Sequence, residues 1–286
     1  MDFEDDHHRY QSSDEEDFQE SLDKAVTLPK PIFLWRDTAA IKPATTTTGS
    51  TSTSSSISSP KSCSTLIIGT AFGGSALLHT IKEKTLLGSI ILPGIDLKEN
   101  NADINSPRNA NCNIYELNSD PTVIFIPCNY EVKDKDSLNF ARAILQNIQA
   151  TRIIILDTFS PSSYFTGSAN VEYNYPWLRL LQTTGSTIVN EIPTLEVPNL
   201  VQNLSAALMS YCEVRGMTNT YLLLSLQEFI YGKVLTTSGT LRGLKEGLAN
   251  LGCPVVANQV DVASAVRLIQ DKRVGSNRIR DDRLYA

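Results

Sequence analysis

The sequence predicts an α/β protein with a Rossmann-like open sheet and helices on both faces. Three apolar runs without polar alternation, residues 64–69, 151–158 and 219–226, are typical of strands that are covered on both sides. Amphipathic helical patterns occur at residues 73–84, 134–148, 198–216 and 238–252. Because strands that alternate with helices usually form a largely parallel sheet with helices packed on it, these observations together favour an open α/β sheet.

The first half of the predicted domain begins with the strand at 64–69, followed by a glycine turn and a helix at 73–84. A second apolar strand is expected at 87–94. The asparagine-rich stretch 98–113 has almost no apolar content and is predicted to be a surface loop. Two more strands, 113–117 and 121–128, are expected after it.

The second half contains the clearest helical patterns. Residues 134–148 combine an acidic first turn with an apolar stripe, and acidic residues are favourable at a helix N-terminus. In residues 198–216, Pro198 suits a first turn and Gly216 suits a left-handed C-terminal cap. The apolar face predicted for this helix comprises Leu200, Val201, Leu204, Ala207, Leu208, Tyr211 and Cys212. A glycine-interrupted helix at 238–252 and a short helix at 261–271 complete the domain.

Three regions are predicted along the chain. Residues 1–61 form an acidic and Ser/Thr-rich arm that is expected to be disordered and dispensable for folding, residues 62–271 form the α/β domain, and residues 272–286 form a flexible tail. Within the arm, the apolar segment 27–37 has two alternatives: it remains a disordered segment that binds a partner, or it docks on the domain as an extended segment.

Charge and cysteine usage exclude several classes of protein. Residues 1–24 carry a net charge of −8, so the other 262 residues carry +2 of the total of −6, which does not suit a nucleic-acid surface. The five cysteines are widely spaced and contain no Cys-x-x-Cys pair, so neither a disulfide framework nor a metal site is expected. There is no signal-peptide pattern and no long apolar run, so we expect a cytoplasmic or nuclear protein that does not span a membrane.

The sequence supplies little catalytic machinery. The turn at Gly69–Ser75 has neither the Gly-x-Gly-x-x-Gly spacing nor a Gly-Lys-Ser/Thr ending, so its glycines favour a backbone role over phosphate binding. His79 lies beside leucines and is expected to be a packing residue. Asp157 ends an apolar strand, where catalytic carboxylates often lie, but it has no obvious paired carboxylate. We therefore predict no catalytic residues, cofactor or metal, and keep a small-molecule or nucleotide-dependent enzyme using Gly69–Ser75 as the alternative.

Two features, the helix at 198–216 and the final residues Leu284, Tyr285 and Ala286, resemble the proteasome assembly chaperone 1 family. The second matches that family's tail of a hydrophobic residue, a tyrosine and any residue, the HbYX motif. The resemblance implies a chaperone without enzymatic activity that pairs with proteasome assembly chaperone 2. It also implies that the heterodimer binds the outer face of the α-subunit ring during 20S assembly, with Leu284, Tyr285 and Ala286 in a pocket between α subunits. The alternative is that Leu284 and Tyr285 fold back onto the chain's own domain.

Overall fold

The computed structural model describes residues 30–36, 60–95, 97–98, 100–165 and 175–271. The tail at 272–286, with Leu284, Tyr285 and Ala286, lies outside the described residues, as does most of the arm. The described helices are α1 (Ala71–His79), α2 (Asp134–Asn147), α3 (Asn203–Val214), α4 (Ser238–Asn250), α5 (Pro254–Gln259) and α6 (262–271), with a 3-10 turn at Pro161–Ser163.

Eight strands of the described residues form one mixed sheet: β1 (Ile32–Trp35), β2 (Lys61–Gly69), β3 (Lys84–Ile91), β4 (Cys112–Leu117), β5 (Asp120–Pro127), β6 (Ile148–Phe159), β7 (Leu178–Gln182) and β8 (Thr220–Leu226). Their order across the sheet is β1-β3-β4-β5-β2-β6-β8-β7. A separate hairpin consists of β9 (Glu228–Ile230) and β10 (Lys233–Leu235).

The centre of the sheet is the parallel set β5-β2-β6-β8. Helices cover both of its faces, which confirms the predicted open α/β sheet. On one face α1, α4, α5 and α6 pack on a core that includes Ile67 and Ile154, and on the other α2 and α3 pack on a core that includes Leu66 and Ile155. Neighbouring residues of one strand thus serve opposite cores, which is why these strands lack polar alternation.

Both ends of the sheet are antiparallel, and the sequence did not predict this. Strands β3 and β4 extend the sheet beyond β5, and β7 pairs with β8 on the other side. The asparagine-rich stretch is not only a surface loop, because Asn109 is buried and Asn113 belongs to β4. The Asn113 side-chain amide donates to the Ile104 carbonyl (2.8 Å) and to the Tyr115 hydroxyl (2.9 Å). Hydrogen bonds of the asparagine side chains therefore hold the asparagine-rich stretch against the sheet.

Two predicted helices have different bounds. Helix α1 begins at Ala71, so Gly73 and Gly74 belong to the helix and not to a preceding turn, and it ends at His79 because β3 begins at Lys84. Helix α3 begins at Asn203, so the first-turn role expected for Pro198 was wrong, and Leu200 is 83% exposed instead of buried. The cap at Gly216 is confirmed by its φ of +64°.

Part of the predicted arm belongs to the sheet. Residues 32–35 form the edge strand β1, which pairs antiparallel with β3, so the extended-docking alternative holds for this segment. Phe33 and Trp35 pack on the core between the sheet and the helix pair α2 and α3. Strand β2 begins at Lys61, one residue before the expected start of the domain. The other boundaries stay predictions.

Within the described ranges no helix is long and apolar enough to cross a bilayer. All five cysteines are buried, and none of them forms a disulfide.

The edge strand gives a direct stability test. Deleting residues 1–36 should lower the free energy of unfolding by about 2 kcal/mol, because it removes the half-buried Phe33 and Trp35 together with the pairing of β1. Urea unfolding of this truncation is compared with a matched deletion of residues 1–29, which leaves β1 intact. Equal stability of the two truncations would restore the expectation that the whole arm is dispensable.

Candidate functional site

A cavity of about 320 Å³ lies at the carboxyl ends of the parallel strands. Strand β5 lies on one side of β2, whereas β6 and β8 lie on the other. The order in which the chain adds parallel strands to the sheet therefore reverses at β2. Open α/β sheets bind ligands at such a switch point, because the connections on its two sides diverge and leave a crevice. Residues that follow β2, β5 and β6 line the cavity together with the first turn of α3.

Asp157, near the end of β6, is the polar centre of the cavity. One carboxylate oxygen accepts from the Ser205 hydroxyl at 2.5 Å and the other accepts from the Thr158 amide at 2.7 Å. The Ser205 hydroxyl also lies 2.8 Å from the Thr70 hydroxyl, which donates to the Leu156 carbonyl at 3.2 Å. The network joins the ends of β2 and β6 to the start of α3.

Burial raises the pKa of the Asp157 carboxyl above its ordinary value of 3.8, although the hydrogen bonds from Ser205, Thr158 and Thr70 act in the opposite direction. Desolvation therefore outweighs the hydrogen bonds. An ionised Asp157 is costly to the fold, because no positive side chain is among the described residues that line the cavity.

Apolar and aromatic side chains alternate with uncharged polar ones such as Asn129 and Gln202 in the walls of the cavity, and Asp157 and Glu131 are the only charged side chains among its described lining residues. Phe72 and Leu200 are largely exposed at its rim. Two acids without a base suit a neutral or positively charged ligand and disfavour a nucleotide, whose phosphates would need compensating positive charge.

The glycines of the Gly69–Ser75 segment have a packing role. A Cβ atom on Gly74 would lie 2.2 Å from the Leu156 carbonyl oxygen, and one on Gly69 would lie 2.6 Å from the Gly74 carbonyl carbon. Neither distance is sterically possible, so both positions need glycine for helix α1 to reach the sheet. The segment contributes Thr70 and Phe72 to the cavity, and the geometry agrees with the backbone role expected for its glycines.

His79 is buried at the end of α1, where its Nε2 atom hydrogen-bonds the Asn129 side chain and its carbonyl accepts from Lys84 at 2.9 Å. Burial lowers the pKa of Lys84 to about 8. These contacts suit the packing role predicted for His79.

Of the predicted site candidates, the structure brings only Asp157 and Thr70, from the Gly69–Ser75 segment, into one network. Sequence reasoning missed Ser205, which lies 48 positions from Asp157. The only sequence signal for Ser205 is its position in the first turn of a helix, and the sequence predicted that helix to begin at residue 198, five residues before its actual start.

The fold and cavity define an open-sheet α/β protein whose described residues contain a ligand-sized crevice with the half-buried Asp157 carboxyl near its centre. A family model named PAC1 and described as proteasome assembly chaperone 4 matches residues 37–233. The chain therefore belongs to the PAC1 family of proteasome assembly chaperones.

Individual relatives agree with the resemblance found in the sequence. Proteasome assembly chaperone 1 of Xenopus laevis is 28% identical over 113 residues, which are 39% of this chain and 39% of the relative. That of Danio rerio is 27% identical over 168 residues, 56% of this chain and 60% of the relative. The matches thus span about two to three fifths of these relatives.

Among solved structures, Pyrococcus furiosus PbaB, an archaeal proteasome activator, superposes with a TM-score of 0.51. The match covers 88% of this chain and 99% of PbaB at 12% identity. At this identity the similarity supports the fold.

Asp157 provides a test of the electrostatics. The Asp157 carboxyl binds its proton more tightly in the native state than in the unfolded state. The free energy of unfolding therefore decreases as the pH rises from 3.8 through the raised pKa. In the Asp157→Asn variant the amide oxygen can still accept from the Thr158 amide, and the new NH2 group can donate to the Ser205 hydroxyl oxygen. The variant should therefore melt about 2–4 °C above wild type at pH 7.5. Its advantage should shrink at pH 4.5. Calorimetry with exposed Glu246→Gln as the control measures this, and a lower melting temperature for Asp157→Asn at pH 7.5 would contradict it.

Proposed function

We propose that this protein is a chaperone of 20S proteasome assembly that acts in the cytoplasm or nucleus. In this proposal it pairs with a related second subunit, proteasome assembly chaperone 2, and the pair binds the outer face of the α-subunit ring. The observation that carries the proposal is the family match over residues 37–233. The relatives of Xenopus laevis and Danio rerio support it, because both are named proteasome assembly chaperone 1.

We further propose that Leu284, Tyr285 and Ala286 enter a pocket between neighbouring α subunits. A leucine and a tyrosine bury enough area to anchor a short segment, because an aromatic ring combines a large apolar surface with a polar end. A terminal carboxylate on Ala286 would pair with a lysine at the base of the pocket, in a charge-assisted hydrogen bond. This contact requires that Ala286 ends the mature chain.

The described part of the domain offers a firm origin for this tail. Helix α6 is anchored by Ala265 and Ile269, both buried in the core beside α4 and α5. The fifteen residues after it span at most about 50 Å when extended, so the domain need not lie directly above the pocket. Five bases against two acids in residues 272–286 would steer the tail towards an acidic rim.

Pairing with a second subunit is supported by exposed apolar side chains. At the turn of the hairpin β9–β10, Tyr231 is 100% exposed, and Phe229 on β9 is 67% exposed. Tyr231 has a φ of +48° and the next residue, Gly232, has a φ of +76°, so the tight turn presents the ring to solvent. Exposed aromatic residues are the type that interfaces preferentially bury, so we propose this hairpin as part of the contact with the second subunit.

A chaperone of this kind works by binding alone. Affinity for an assembling ring comes from apolar burial and the tail carboxylate, and neither requires a covalent step. The enzymatic alternative gains little support from the geometry, because Gly74 packs against Leu156, Gly69 packs against Gly74, and the described cavity lining contains no basic group.

The tail proposal and the self-packing alternative give opposite results for Tyr285→Ala. If the tail anchors the chaperone, ring affinity should fall by about 2 kcal/mol while the melting temperature stays unchanged, as for an aromatic anchor at an interface. Adding one residue after Ala286 should also weaken binding, because it moves the carboxylate by about 3.3 Å. Binding to isolated α rings and calorimetry are measured on the same preparations, with Ile279→Ala as the tail control.

The contradictory outcome is equally specific. A lower melting temperature for Tyr285→Ala, with unchanged ring affinity and no effect of the added residue, would assign Leu284 and Tyr285 to the chain's own core.

A further inference from the structure

The cavity beside Asp157 has a chemical character that a role in proteasome assembly does not explain. Its half-buried Asp157 carboxylate receives two hydrogen bonds from neutral donors, the Ser205 hydroxyl and the Thr158 amide. No Lys, Arg or His is among the described residues that line the cavity. A buried carboxylate without a positive partner is costly, and a ligand that carries a positive charge removes that cost.

The surroundings restrict the shape of such a ligand. On the side of β6 and the following segments, Phe159 and Leu195 line the cavity, and on the side of α3 it is lined by Leu204. Tyr130 and Phe72 add two further aromatic rings to that of Phe159, and an ammonium group is attracted to an aromatic face. A volume of about 320 Å³ is at the small end of ligand pockets. Uncharged polar side chains such as Asn129 and Gln202 complete the lining. The site therefore suits one charged group on a compact body that packs its apolar part against the aromatic and aliphatic side chains.

We propose that this cavity binds a small primary amine, with its ammonium group on Asp157 and its apolar body against Phe159, Leu195 and Leu204. Glu131, which also lines the cavity, adds a second negative charge on the side of β5. This inference is independent of the proposed chaperone function, because it uses no residue of the tail or of the hairpin β9–β10.

Two other classes of ligand fit less well. A phosphate or carboxylate ligand would meet two acids and no basic side chain among the described lining residues. A metal ion would need several ligands, and the described residues contain no group of three or more His, Cys, Asp or Glu side chains that could hold one. An ammonium group needs only the single carboxylate and nearby oxygen acceptors.

The test compares three probes of nearly the same shape on the full chain: 2-phenylethylamine, the neutral 2-phenylethanol and the anionic 3-phenylpropionate. The amine, at about ten times its dissociation constant, should raise the melting temperature by roughly 2–4 °C. The alcohol and the anion should produce a much smaller rise. Titration calorimetry at pH 7.5 then gives the affinities.

Two variants locate the binding. Asp157→Asn keeps the shape of the side chain and should lower the affinity for the amine by about 30-fold or more, because it removes the negative charge that pairs with the ammonium group. Leu200→Trp places a large ring at the exposed rim and should hinder every probe without disturbing the core. The control Glu246→Gln, on α4, should bind the amine as wild type does.

The proposal is overturned if 2-phenylethylamine binds no better than 2-phenylethanol, or if 3-phenylpropionate binds best. It is also overturned if neither Asp157→Asn nor Leu200→Trp lowers the affinity for 2-phenylethylamine, since the amine would then bind outside this cavity. If Asp157→Asn does not fold, Leu200→Trp and the comparison of the three probes decide the outcome.

Discussion

The contact between helix α1 and the end of β6 is the constraint on which the rest of the structure depends. At Gly74 the helix backbone lies so close to the Leu156 carbonyl that any side chain would overlap it. The Thr70 amide and hydroxyl both donate to that same carbonyl, at 2.9 and 3.2 Å. This close approach joins β2 to β6 at the switch point of the sheet, and it places Thr70 within hydrogen-bonding distance of Ser205 on α3. The two helical layers are thus tied together at the cavity.

The structure separates the chain into parts with different physical roles. The doubly covered parallel strands form the packed body of the domain, while Phe229 and Tyr231 are exposed on the hairpin that we propose as a partner contact. This combination favours binding, because an anchor on a body that is already ordered loses less conformational entropy when it binds. The half-buried Asp157 departs from the pattern, since it lies in a cavity with no positive partner among the described lining residues and is not part of that surface. Residues that are costly to a fold are often retained for a ligand, which is why we connect Asp157 with binding.

Much of the parallel core could be predicted from the sequence, because strands buried on both faces leave continuous apolar runs such as 151–158. The antiparallel extensions could not, since pairing between β3 and β4 depends on contacts distant in the chain. Strand β1 was read as part of a disordered arm because four residues between polar tracts carry too little periodicity, and only pairing with β3 stabilises them. The start of α3 was placed too early because Leu200 fits the helical pattern yet is exposed at the cavity rim. In the candidate site, Asp157 could be predicted because it ends an apolar strand. Ser205 could not be predicted, because only the fold brings it next to Asp157.

The central claim is that this family member acts on assembling proteasomes, and purification of the tagged full-length chain from its own cells tests it most directly. Mass spectrometry of the co-purified proteins should find α subunits of the 20S particle and one related chaperone subunit in amounts equal to the tagged chain. Mature β subunits should be much less abundant than α subunits, because the proposed complex forms during assembly. A purified chain accompanied by neither α subunits nor a second chaperone subunit would contradict the account, whatever its fold.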